Sequence, residues 1–163
     1  MNRDGHLGMA MAIVFGAYSV LDIKSTESLI VGFLIVGLST LPDIDLALEI
    51  AHRKYTHNLA ASIVAGLLLG AVLEMGGFKG LGFIEGFVAG FTAVWIHILG
   101  DLLTYMEFQP FWPISRRKIA LKLFKSSNRA VNRAMATLGS AIMIYYFITH
   151  FYGISIKPAG AVT

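Results

Sequence analysis

Seven residues able to hold a metal ion or move a proton arrive in short groups along the chain. His6 stands near the start, and Asp43 and Asp45 sit in the run Leu41-Pro42-Asp43-Ile44-Asp45. His52 and His57 bracket Arg53-Lys54-Tyr55-Thr56, and His97 and Asp101 follow in His97-Ile98-Leu99-Gly100-Asp101. His97 and Asp101 are i,i+4, so on a helix both side chains leave one face and can share one ion. Thr104 falls on the same face. Pro42 interrupts a regular helix, and in extended backbone a two-residue spacing turns Asp43 and Asp45 to the same side. His52 and His57 are separated by about 140° on a helical wheel, so one of them belongs to the turn before the next helix.

Imidazole with carboxylate suits zinc first, and manganese or iron after it; a carboxylate-rich subset suits magnesium. The candidates outnumber the four donors of a tetrahedral zinc. The chain therefore holds two ions, or one ion with orienting and acid–base residues around it. His6, Asp43, His57, His97 and Asp101 are the expected metal ligands. Asp45 or His52 is the expected general base or orienting group, and the fork-shaped guanidinium of Arg53 suits an anionic group of a substrate. A single histidine at a helix end is ordinarily an interfacial residue or a cap; it is the convergence of four chain segments that points to a metal. There is no cysteine, which excludes disulfides, thiolate metal sites and cysteine nucleophiles. No His-Glu-x-x-His motif is present to suggest an intramembrane protease.

The elements that must carry these residues are apolar. Hydrophobic residues make up 56% of the 163 and charged residues 14%, against about a quarter charged in soluble domains. One soluble core of this size cannot hide so much apolar surface. The expectation is an all-α, multi-pass transmembrane bundle in one domain, 1–163. Its spans are about 7–23, 26–42, 56–75, 81–100 and 134–154, of which the first two are short for the roughly 20 residues a crossing needs. The first apolar run reads as a retained helix, because no clear cleavage site follows it.

Five spans would put the N-terminus and the segments 43–57 and 101–133 on one side. That side then carries ten of the thirteen basic residues, so it is expected to be cytoplasmic. Four of the five histidines fall there too, with Asp43, Asp45 and Asp101, although only lysine and arginine set the orientation. Seven basic residues and no acid occupy 116–133. With Ile119, Leu123 and Phe124 near one side, 114–133 reads as a basic amphipathic helix at the membrane surface, with anionic lipid headgroups as its partner and no nucleic acid expected. A charge cluster that only sets topology is the plainer alternative. Gly82, Gly86 and Gly90, with Gly66 and Gly70, form small-xxx-small patterns for close helix packing. Gly86 and Gly90 lie within about 20° of His97 on the wheel, which turns His97 into the bundle.

Gly5-His6, Leu41-Pro42-Asp43-Ile44-Asp45, His52-Arg53-Lys54-Tyr55-Thr56-His57 and His97-Ile98-Leu99-Gly100-Asp101 with Thr104, and more weakly Trp112-Pro113, resemble the membrane-bound metal-dependent hydrolases. These are also described as LexA-binding, inner-membrane-associated, YdjM-like proteins. The resemblance implies an integral inner-membrane protein with metal-dependent hydrolase activity, and it carries over His6, Asp43, Asp45, His52, His57, His97 and Asp101 as the site. Leu46 departs from a histidine found in many members, Asn58 from a common serine and Tyr105 from a common proline; the first removes one ligand. Nothing in this sequence points to LexA. The expected function is a metallohydrolase with its site at the cytoplasmic face, acting on a phosphoester of a lipid or lipid-linked substrate. The competing readings are a metal-stapled scaffold without catalysis, and a metal-ion or proton transporter, which would place its ligands near the bilayer midplane.

Overall fold

The computed structural model describes residues 1–47 and 55–151. Helix α1 spans Arg3–Leu21; the Asn2 side chain caps it by accepting from the Gly5 N–H at 2.9 Å. Helix α2 spans Thr26–Leu38, with Ser25 as its cap. Pro42 converts its continuation into a tight 3-10 turn, Leu41–Asp43, which leads into the short α3, Ile44–Ala47. Helix α4 spans Leu59–Gly76, capped by Asn58, and ends at Gly77, whose φ of 61° suits glycine. Helices α5, Phe83–Leu102, and α6, Arg129–Phe151, complete the chain. Among the described residues no strand forms, only isolated bridges.

Four segments are long and apolar enough to cross a membrane: Arg3–Leu21, Thr26–Asp43, Leu59–Gly76 and Phe83–Leu102. They overlie the first four expected spans. The second reaches 18 residues only by taking in the turn that ends at Asp43. Helix α6 runs parallel to α1: Gly5 meets Asn132, Gly8 meets Met135, and Phe15 meets Tyr146. Thus α1, α4 and α6 point one way and α2 and α5 the other. Leu67, Leu68, Val72, Ile84 and Val88 face outward, as lipid-facing side chains do.

Glycine sets the two closest helix pairs. A Cβ on Gly86 would come within 2.6 Å of the Leu69 carbonyl oxygen, and one on Gly90 within 2.5 Å of the Ala65 carbonyl oxygen. The expected α4–α5 stripe is therefore real. Gly82 does not belong to it; it caps α5 beside Glu74 and Glu85. The α1–α6 pair rests on Gly8 and Gly139, where an added Cβ would collide with backbone of the opposite helix.

The basic segment corrects one expectation. Residues 114–128 do not form an amphipathic helix. They fold back on 102–108: Phe108 and Ile119 exchange backbone hydrogen bonds, and the N–H groups of Leu121, Lys122 and Leu123 donate to Leu102, Thr104 and Leu103. Apolar side chains at 119, 121 and 123 alternate with period two, which suits extended backbone. Lys122 takes a φ of 56°, incompatible with a right-handed helix. Helical structure resumes only at Arg129, after Asn128 accepts from the N–H groups of Ala130 and Val131.

Candidate metal centre

The site forms where the ends of three chain segments meet. The turn after α2 supplies Asp43, the stretch before α4 supplies His57, and the last turn of α5 supplies His97 and Asp101. Each placement has a local cause. Pro42 ends regular helix just before Asp43. Asn58 caps α4, so His57 sits immediately outside the first turn. Helix α5 lies close to α4 through its glycines and carries His97 and Asp101 one turn apart on its buried face. His57, His97 and Asp101 are buried, and Asp43 is half-buried.

The nitrogens and oxygens converge. His57 Nε2 lies 2.9 Å from His97 Nε2, 3.6 Å from Asp43 Oδ1 and 3.4 Å from Asp101 Oδ2. His97 Nε2 lies 3.4 Å from Asp43 Oδ1 and 3.7 Å from Asp101 Oδ2. Donors about 2.0–2.1 Å from a tetrahedral zinc stand about 3.3 Å from one another. The observed spacings bracket that value.

Hydrogen-bond accounting fixes which ring nitrogens carry protons. His97 Nδ1 lies 2.8 Å from the Ser39 carbonyl oxygen, which can only accept. Nδ1 therefore carries the proton, and Nε2 presents a lone pair. Thr56 donates its single hydroxyl proton to Asp45 Oδ2 at 2.6 Å, so its oxygen accepts from His57 Nδ1 at 2.7 Å. His57 Nε2 also turns a lone pair inward. Two lone pairs do not face each other at 2.9 Å without a cation between them. A proton on His57 meets part of that need: burial opposes its charged form, but the carboxylates of Asp101, Asp43 and Asp45 outweigh burial and raise its pKa. The donor set therefore fits a divalent ion, and outer-nitrogen partners of this kind are what ligating histidines require.

The other expected residues fall as follows. Asp45 is buried and stands behind His57, 3.5 Å from Nδ1, acting through Thr56. His6 is buried beside the four donors: its ring stacks on His97 with centroids 3.8 Å apart, and its Nε2 faces the other oxygen of Asp101 at 3.3 Å. The Met1 amino group contacts that same oxygen. Thr104 is buried and donates to the Asp101 carbonyl at 2.8 Å. His52 and Arg53 lie outside the described residues. Two contributors carried no sequence signal of their own. Ser39 acts through its carbonyl, which any residue supplies. Phe108 meets His57 edge-on at 6.2 Å and comes from the folded-back loop, whose carbonyls at Pro110 and Trp112 accept from the first N–H groups of α4.

A model of the YdjM inner membrane protein family matches residues 1–157, and the chain belongs to that family. No curated protein and no solved structure matches it.

Proposed function

We propose that this member of the family is a metal-dependent hydrolase whose divalent ion, zinc by its donor set, is held by Asp43, His57, His97 and Asp101 at the cytoplasmic membrane face. The observation that carries the metal is the pair of opposed Nε2 lone pairs flanked by two carboxylates. Hydrolysis is supported by the family resemblance and by an abundance of polar groups beyond four ligands. His6 and the outer oxygen of Asp101 face each other beside the four donors, and the Met1 amino group sits on that oxygen.

An ion bound there supplies Lewis acidity, which offsets negative charge developing on a phosphoryl or carbonyl oxygen. The chain's residues do the rest. Asp45 and Thr56 hold the His57 ring in one tautomer, and the Ser39 carbonyl does the same for His97. Phe108, Ile98 and Val94 keep bulk water from the buried side. His52 and Arg53 are the candidates for proton transfer and for clamping an anionic group. Lys118 and Lys125 attract anionic headgroups to the same end of the molecule, which favours a phosphoester over a neutral ester.

The test is turnover of phosphomonoester and phosphodiester substrates by zinc-loaded protein in lipid nanodiscs. Activity is expected, with Asp101→Asn and His97→Ala each lowering it by about 100-fold or more. Absence of turnover at full metal occupancy overturns the hydrolase reading. A second reading draws on the same geometry: an ion joining three segments also staples them. If chelation collapses the thermal transition of the protein and no substrate is cleaved, the staple is the function.

A further inference from the structure

A trough runs from the metal centre along the bundle toward the middle of the membrane. Helices α2 and α4 both pack on α5, and the space between them is floored by Gly90, Ala93 and Val94. Two cavities fill it. One of about 460 Å³ reaches Pro42 and Thr56, and one of about 230 Å³ continues to Val72. Leu41, Ala65, Leu68 and Val94 line both, so the two adjoin.

Its chemistry changes along its length. At the inner end, Thr56 is the group that bonds Asp45 and His57, and Pro42 precedes the ligand Asp43. Beyond that point the walls are apolar, and on α4 they are cut back to alanine at 60, 61 and 65. From Ala60 to Val72 the helix rises about 18 Å, close to half of a hydrocarbon core about 30 Å thick. Trp112 and Tyr55 line the end nearest the metal centre, at the depth where aromatic side chains meet headgroups.

We propose that this trough seats one hydrocarbon chain of a lipid phosphoester, entering sideways from the bilayer, so that its headgroup reaches the metal centre. An apolar slot of one leaflet's depth that ends on metal ligands fits a lipid tail; a soluble substrate has no use for it. This assignment rests on the metal centre proposed above, and it names the substrate class of that site. It is independent of turnover, because seating a chain needs no cleavage.

The test uses zinc-loaded protein in phosphatidylcholine nanodiscs containing a trace of phosphatidic acid with a diazirine in its acyl tail. Photolysis is expected to label the trough side of α4, near Ala61, Ala65 and Leu68, and excess unlabelled phosphatidic acid is expected to compete that label away. Ala61→Phe and Ala65→Leu each fill the slot and are expected to cut competable labelling by about tenfold. Ile63→Phe, on the opposite side of α4, leaves it unchanged. Zinc content read on every variant shows that the bundle still forms. Label spread evenly around α4, label that does not compete, or label that survives both alanine replacements overturns the proposal. So does a cross-link from the trough to a second copy of the chain. Competable labelling without any phosphoester cleavage leaves the trough standing and removes the hydrolase.

Discussion

At the scale of single residues, the centre depends on partners that never touch an ion. Thr56 joins Asp45 to His57, and without its hydroxyl the imidazole loses both its tautomer lock and its aim. Thr56→Val keeps the shape of the side chain and is expected to weaken zinc binding by about 10–100-fold, measured by competition with a chromophoric chelator. Protons compete with metal for the same nitrogen. Because the carboxylates raise the pKa of His57 in the folded protein, its protonated form stabilises the metal-free fold at low pH, and that contribution fades as pH rises through the raised value. Metal binding has the opposite sign. The melting temperature of metal-free protein is therefore expected to fall with rising pH over this window, while zinc affinity climbs; His57→Gln should flatten the first trend. A metal-free melting temperature that rises with pH through the window would contradict the assignment.

At the scale of elements, glycine contacts set two helix pairs, and the α4–α5 pair decides whether the donors meet. Gly86 and Gly90 bring α5 against α4, and Gly8 and Gly139 bring α1 against α6, with backbone rather than side chain at the closest points. Lipid provides no hydrophobic drive between helices, so lost van der Waals contact is lost association. Gly90→Val separates α4 from α5 at the level where α5 approaches His97. It is expected to destabilise the bundle by about 1–3 kcal/mol and to weaken zinc binding, because His57 and His97 come from the two helices it parts. Gly139→Val should cost similar stability yet leave the four donors, which lie after α2, before α4 and on α5, in place, so its zinc affinity should hold. Thermal unfolding in detergent alongside zinc titration separates the two. The folded-back basic loop belongs to this scale as well: the sequence reads as an amphipathic helix over 114–133, and pairing with 102–108 overrides that reading.

For the whole molecule, the helix directions gather the N-terminus, the metal centre and the basic loop at one end. Excess Lys and Arg predicts that end to be cytoplasmic. The chain has no cysteine, so single-cysteine variants report sidedness without background. Lys79→Cys, in the α4–α5 connection, is expected to react with a membrane-impermeant maleimide in intact cells. Lys118→Cys should react only after permeabilisation. The reverse pattern would turn the molecule over and place the metal centre outside.

Much was legible in the amino-acid order because it depends on local rules. Apolar run lengths located the four helices that are long and apolar enough to cross a membrane, and the i,i+4 spacing of His97 and Asp101 put both on one helical face. The glycine wheel turned that face inward. Each follows from helix geometry alone. Tertiary structure had to decide what depends on distance between segments far apart in sequence. It separated the four converging donors from His6, which stacks on His97 from the other side, and from Asp45, which stands behind Thr56. It also enlisted the Ser39 carbonyl, a backbone group that no side-chain pattern announces. Residues scattered over separate chain segments thus become a cluster of four donors with two locked imidazoles, because tautomer and aim are set by hydrogen bonds that only the folded chain makes.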